Sequence, residues 1–145
     1  MTDAGRTRVL LTGFGPFPGV PVNATMRLVP ELAEAISRTY PDVRCSTLLL
    51  ATEWGTAPVR VAEVIKETPP DLLVHFGVSS RARGFEIETR ARNACQLSPD
   101  AAGQLPAGAR LAGEGQDFLP ASVPVRHIVA RLRTRGIAAF VSRDA

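Results

Sequence analysis

Arg8–Thr12 (RVLLT), running into Gly13-Phe14-Gly15-Pro16-Phe17-Pro18-Gly19, is the stretch on which the fold reading turns. Its apolar residues are consecutive rather than alternating, and the run ends at a glycine. That pattern predicts a strand buried on both faces, as in a parallel sheet, rather than one with a solvated side. The loop that follows carries two Phe and two Pro where a surface turn is ordinarily polar. Beyond it, Asn23 is placed to cap a helix running towards Tyr40, with Leu32, Ala33, Ile36 and Leu28 on its inner side. Pro30 leaves two readings: a kink there, or a regular helix that starts near it.

Working outward, Arg44–Leu50 (RCSTLLL) predicts a second strand, with Ala51-Thr52-Glu53-Trp54-Gly55 as the loop past its C-terminal end. A helix begins at Thr56 with Pro58 in its first turn, carries Val59, Val61, Ala62 and Ile65 as an apolar stripe, and stops at Pro69-Pro70. Leu72–Phe76 (LLVHF) predicts a third buried strand ending at Gly77. Strand, helix, strand, helix, strand at this spacing argues for an α/β protein with a mostly parallel, twisted sheet and flanking helices. The rhythm then changes. Phe85–Ala91 (FEIETRA) alternates as one half-exposed strand, and residues 96–122 form a long irregular segment. A helix returns from Pro124, with Val125, Ile128, Val129 and Leu132 on one side and Gly136 as its stop. Ile137–Val141 (IAAFV) is expected to be a last buried strand, followed by Ser142-Arg143-Asp144-Ala145.

The chain of 145 residues is 45% hydrophobic and carries 17 basic against 14 acidic residues, which excludes a disordered chain and fits a single domain. Apolar runs stay far short of the roughly 20 residues of a membrane helix. The segment Val9-Leu10-Leu11 is too short for a signal-peptide core, so a cytoplasmic location is expected. A net charge of +3 rests almost wholly on Arg, with Lys66 the only lysine, and nothing clusters it with stacking aromatics. Nucleic acid is therefore not an expected partner. Cys45 and Cys95 form no Cys-x-x-Cys pair and no metal-ligand spacing, so neither a disulfide nor a metal is expected.

Ligands of open α/β sheets sit past the C-terminal strand ends, here the loops at 13–23, 51–55 and 77–83. A dinucleotide loop needs free backbone N–H groups and a helix start directly behind them, whereas Pro16 and Pro18 remove donors and the helix starts late. A rigid loop bearing Phe14 and Phe17 suits a flat uncharged ring, the alternative being that these rings belong to the core. His75 reads as a core histidine, and His127 lies beside a helix stripe. Glu86 and Glu88 share one strand face, where solvated glutamates are the plain reading. Cys45 reads as a small buried hydrophobe, and neither cysteine has a neighbouring His or helix start to hold a thiolate.

Several segments together resemble pyroglutamyl peptidase I, the pyrrolidone-carboxylate cysteine peptidases. They are Val9–Asn23 (VLLTGFGPFPGVPVN), Pro70–Gly77, Ile87-Glu88 with Asn93, Pro99-Asp100 with Gly103, Leu119-Pro120, Val123-Pro124 and Gly136–Ser142. The resemblance implies a three-layer sandwich of the phosphorylase/hydrolase type, incomplete at its C-terminal end. It also implies a cytosolic exopeptidase that needs no cofactor and acts on peptides with an N-terminal pyroglutamate. In that family a Cys–His pair oriented by a Glu performs acyl transfer through a thioester. By position Glu88 matches the orienting acid and Phe14 and Phe17 match the ring-lining aromatics. Asn23 and Thr52 match nearby polar contacts, and Val78 stands where a Gln is frequent. Thr89 replaces a basic residue, with Arg90 next to it, which leaves the oxyanion donor unassigned.

The family's nucleophile and general base lie beyond the strand that ends in Val141-Ser142. Cys45, Cys95, His75 and His127 occupy other positions. Little or no peptidase activity is therefore expected of these 145 residues, together with apolar surface that favours self-association into a homo-oligomer. The other readings are a non-catalytic module that binds the pyroglutamyl ring and a nucleotide-binding α/β domain.

Overall fold

The computed structural model describes residues 5–143. The readings that rest on Met1–Ala4 and on Asp144-Ala145 lie outside the described residues. The chain groups into two compact units: Met1–Val78 with Ser98–Ala107, and Ser79–Leu97 with Gly108–Ala145.

The first unit holds β1 (Thr7–Phe14), α1 (Thr25–Thr39), β2 (Val43–Leu50), α2 (Ala57–Glu67) and β3 (Leu72–His75). Its sheet runs β2-β1-β3, all parallel, with Val9 level with both Cys45 and Leu72. The central position of β1 explains its unbroken apolar run, since both of its faces are covered. Val9 and Leu11 pack with Val29 and Ala33 of α1, and Leu32, Ile36, Val43, Leu72 and Val74 close around them. Val29 is 0% exposed, a burial that stabilises by roughly 1.5–3 kcal/mol.

Several boundaries differ from expectation. Helix α1 begins at Thr25, with Ala24 at its N-cap, and runs through Pro30 without restarting there. Asn23 lies one place before the cap, yet its side-chain oxygen accepts the Thr25 N–H at 3.0 Å. The inner face of α1 includes Thr25 and Val29, which the expected stripe omits. On α2 the half-buried residues are Ala57, Val61, Val64 and Ile65, whereas Val59 and Ala62 are exposed. Strand β3 is half-buried rather than buried, because it stands at the edge of its sheet.

The second unit holds β4 (Phe85–Glu88), β5 (Arg90–Arg92), β6 (Phe118–Pro120), α3 (Val125–Thr134) and β7 (Ala139–Ser142). The expected single strand Phe85–Ala91 is in fact two. β4 pairs in parallel with β7, and β5 pairs antiparallel with β6. Thr89 is the hand-over: its N–H donates to Ser142 O, and its carbonyl accepts from Ala121. The irregular segment 96–122 thus contains a short strand at Phe118–Pro120. Helix α3 buries Val125 and Val129 against Ala139, with Ile87, Val123 and Leu132 around them.

Past α3, Gly136 has φ +74°. The Ile137 N–H reaches Leu132 O and the Gly136 N–H reaches Arg133 O, each at 3.0 Å, the Schellman arrangement in which a left-handed glycine ends a helix. β7 starts two residues later than expected. It is not a buried strand, since only Ala139 is covered while Phe140 and Val141 are exposed. Among the described residues no helix is long and apolar enough to cross a membrane.

Candidate functional site

The loop after β1 is held from four sides. The Gly15 N–H donates to Leu50 O at 2.8 Å, which extends the β1–β2 pairing by one rung. Gly13 brings α1 close: a Cβ there would stand 2.9 Å from Thr25 Oγ1 and 3.0 Å from Val29 Cγ2. Phe17 and Val20 pair across Pro18-Gly19, with Gly19 at φ +83°, as a type II turn demands. The Gly15 carbonyl accepts both Asn23 Nδ2 and Thr52 Oγ1, each at 3.2 Å. Thr25 Oγ1 accepts the Phe14 N–H at 2.9 Å and lies 2.8 Å from Asn23 Oδ1.

On this frame Phe14 and Phe17 are half-buried, and neither belongs to a buried core cluster. Asn23 is 1% exposed, with its amide engaged inside the loop. The Phe14, Gly15 and Phe17 N–H groups are all bonded, and Pro16 and Pro18 have none. From Phe14 to Val20 this backbone has no row of free donors for a phosphate.

Thr52 is tied on its other side as well. Its carbonyl accepts the Ala101 N–H at 2.9 Å. Asp100, which sequence reasoning did not assign a role, is a buried carboxylate that accepts three backbone N–H groups. Trp54 donates to Oδ2 at 3.0 Å, and Ala102 and Gln104 donate to Oδ1 at 2.9 and 2.8 Å. The Gln104 bond, with those from Trp54 and Ala102, holds the carboxyl below its ordinary range against the upward push of burial. The indole Nε1 of Trp54 donates to Ser98 O at 2.9 Å. The one local signal was Asp100 followed by Gly103, which form a turn closed by Gly103 N–H to Asp100 O.

In the second unit Glu86 is exposed and Glu88 half-buried. The Glu88 Oε2 is buried and has no hydrogen-bond partner among the described residues. A buried carboxylate oxygen without a donor is costly, which makes this position unlike a solvated surface glutamate. Arg90 stacks on Phe118 at 4.0 Å, and its Nε donates to Arg143 O. Asn93 bonds Ala112 through both ends of its amide and so pins the long segment.

Val78 lies exposed past β3. His75 is not a core histidine: the residue is exposed at the end of β3, while the inner part of its ring, with Nδ1 2.6 Å from Thr12 Oγ1, is desolvated enough by its neighbours to lower its pKa. Cys45 stands on β2, on the far side of β1 from His75. Two strand spacings, about 10 Å, keep the pair out of contact, and burial raises the Cys45 thiol pKa. Cys95 lies in a loop, its N–H bonded to Ala109 O.

A family model described as pyroglutamyl peptidase matches residues 7–145. The pyrrolidone-carboxylate peptidase of Pseudomonas fluorescens is 33% identical over 138 residues, which cover 94% of this chain and 64% of that protein. That of Pyrococcus furiosus is 28% identical over 139 residues, 95% of this chain and 65% of the relative. Among solved structures, the pyrrolidone carboxyl peptidase of Fervidobacterium islandicum AW-1 superposes with a TM-score of 0.88 at 30% identity, covering 97% of this chain and 66% of that one. Pyroglutamyl peptidase I of Bacillus amyloliquefaciens gives 0.84 at 27% identity, covering 95% and 66%. The chain spans about 64–66% of the length of these relatives. With a family model that runs from the first strand to the last residue, and the same fold in solved members, this chain belongs to the pyroglutamyl peptidase family.

Proposed function

We propose that these 145 residues form the ring-binding and acid-bearing part of a cysteine peptidase that removes N-terminal pyroglutamyl residues from peptides. The observation that carries this reading is the Gly15 carbonyl clasped by Asn23 and Thr52. That clasp fixes a loop which holds Phe14 and Phe17 half out of the core. A lactam ring is flat and uncharged, so two aromatic faces bind it by stacking and desolvation, with a few polar groups to orient it. In this proposal Val78, where a Gln is frequent in the family, offers the ring an apolar side chain, so that backbone groups meet the lactam amide. Asn23 and Thr52 serve this site by setting the loop.

Glu88 is the orienting acid in this proposal. Its unpartnered Oε2 fits a carboxylate that receives an imidazole N–H and so selects the tautomer able to take a thiol proton. The chemistry is acyl transfer: a thiolate attacks the pyroglutamyl carbonyl, the imidazolium protonates the leaving amine, and water hydrolyses the thioester. Cys45 does not fit the nucleophile, with its raised pKa and with His75 on the far side of β1. We therefore assign these 145 residues binding without turnover, in the cytoplasm, on peptides that begin with pyroglutamate and without a metal or organic cofactor.

Calorimetry with pyroglutamic acid, beside turnover of a pyroglutamyl-coumarin amide, tests the reading. Binding that Phe17→Ala abolishes, with no fluorophore released, is the expected result. Release of fluorophore would overturn the assignment of binding alone, and no binding by the unaltered chain would overturn the ring site.

A further inference from the structure

The Ser98–Gln104 segment reaches the loop after β2 through three ties, one to Thr52 and two to Trp54. The Ala101 N–H bonds the Thr52 carbonyl, the Asp100 carboxylate takes the Trp54 N–H, and the Trp54 indole bonds Ser98 O. Thr52 then turns its hydroxyl the other way, to the Gly15 carbonyl. The remaining backbone bonds of this loop are local, Glu53 N–H to Ala51 O and Ala57 N–H to Glu53 O. They shape the turn without tying it to a distant element. The Asp100 carboxylate is thus the one side-chain acceptor among these three ties. Its other oxygen receives Ala102 and Gln104, which fold the segment around it.

We infer that Asp100 is a positioning residue for the ring site, holding Thr52 through Trp54 and Ala101 and so setting the loop that bears Phe14 and Phe17. The inference rests on the reading that this loop takes a pyroglutamyl ring. Asp100 does not touch the ring. It acts by narrowing the places the Thr52 hydroxyl occupies, because a hydroxyl that wanders releases the Gly15 carbonyl and widens the spread of aromatic positions. Preorganised sites bind more tightly because less ordering is left for the binding step. Asn in place of Asp keeps the shape but loses charge-assisted acceptance and sets an amide N–H₂ among backbone donors.

The test is calorimetric affinity for pyroglutamic acid at a temperature where each variant is fully folded by circular dichroism. Asp100→Asn is expected to raise the Kd about tenfold, the worth of one good hydrogen bond. Asp71→Asn is the control for stability alone, since Asp71 accepts the Arg8 N–H at the opposite end of the sheet. It is expected to lower the melting temperature and leave the Kd unchanged. Trp54→Phe, which cuts only the indole tie, is expected to weaken binding by a smaller factor, and it carries the test if Asp100→Asn does not fold. An unchanged Kd in folded Asp100→Asn, or in Trp54→Phe where that variant carries the test, overturns the inference. So does a Kd that rises equally in Asp71→Asn. In each of these cases the ring site stands if Phe17→Ala still abolishes binding. Absence of binding by the unaltered chain overturns the ring site itself, and the positioning role with it.

Discussion

Asn23 and Thr52 meet at one atom: the amide of the first and the hydroxyl of the second both donate to the Gly15 carbonyl, at 3.2 Å each. A carbonyl oxygen has two lone pairs, and here both are used, so the two side chains are coupled through the group they share. Asn23→Ala and Thr52→Val are each expected to destabilise, the first by about 1–3 kcal/mol because it also strips the Thr25 N–H of its acceptor. The double variant is expected to depart from additivity by about 0.5 kcal/mol or more. A double-mutant cycle from urea denaturation measures this; strict additivity would mean that the two act separately.

Gly13 is where β1 touches the start of α1. The contacts a methyl would make, with Thr25 Oγ1 at 2.9 Å and Val29 Cγ2 at 3.0 Å, are with side chains that cannot easily retreat. Thr25 is bonded to Phe14 and Asn23, and Val29 is fully buried. Gly13→Ala is expected to cost about 1–3 kcal/mol by overpacking, more than the gain from a stiffer unfolded chain. A thermal melt of the variant decides the sign.

The β1–α1–β2–α2–β3 half was legible because its signals are local: an apolar run without alternation, a stripe at helical spacing, Pro-Pro as a stop. The switch at Thr89 was not. FEIETRA alternates with the same period on both sides of the break, and a period of two says nothing about which strand lies alongside. The α2 stripe was misplaced because a helix with several scattered Val and Ala residues offers more than one apolar face, and only packing selects among them. In the site, the loop's composition already marked Phe14 and Phe17 as unusual. Asp100 left only its spacing to Gly103, which marks a turn and no role. Its partner Trp54 is 46 residues away, and it acts on backbone N–H groups, which every residue but proline carries.

Acid is expected to unfold the chain in two steps of the same sign. His75 has a folded pKa below its ordinary value of about 6.5, because burial disfavours the imidazolium. Below about pH 6.5 the unfolded state therefore binds more protons, and stability falls with pH until the folded pKa is reached. Asp100 behaves likewise below about pH 3.9, its folded pKa being depressed chiefly by the Gln104 N–H. Melting temperature against pH, compared with His75→Gln and Asp100→Asn, checks this. The first variant is expected to flatten the upper step and the second the lower one.

Phe140 sets the expectation for association. Because it stands level with Glu86 and alternates with the buried Ala139, it belongs to the face of the β4–β7 pair turned away from α3. Phe140 is 42% exposed, with the Arg133 guanidinium reaching over from α3 to 5.5 Å from its ring centre. An exposed aromatic ring on a two-stranded pair favours contact with another apolar surface. Sedimentation velocity is expected to show mass rising with concentration. Phe140→Thr keeps strand propensity and removes the ring, so it is expected to raise the self-association Kd by about tenfold or more, with an unchanged circular dichroism spectrum. A chain that sediments as a monomer at every concentration, with or without the ring, would assign no associating role to this face.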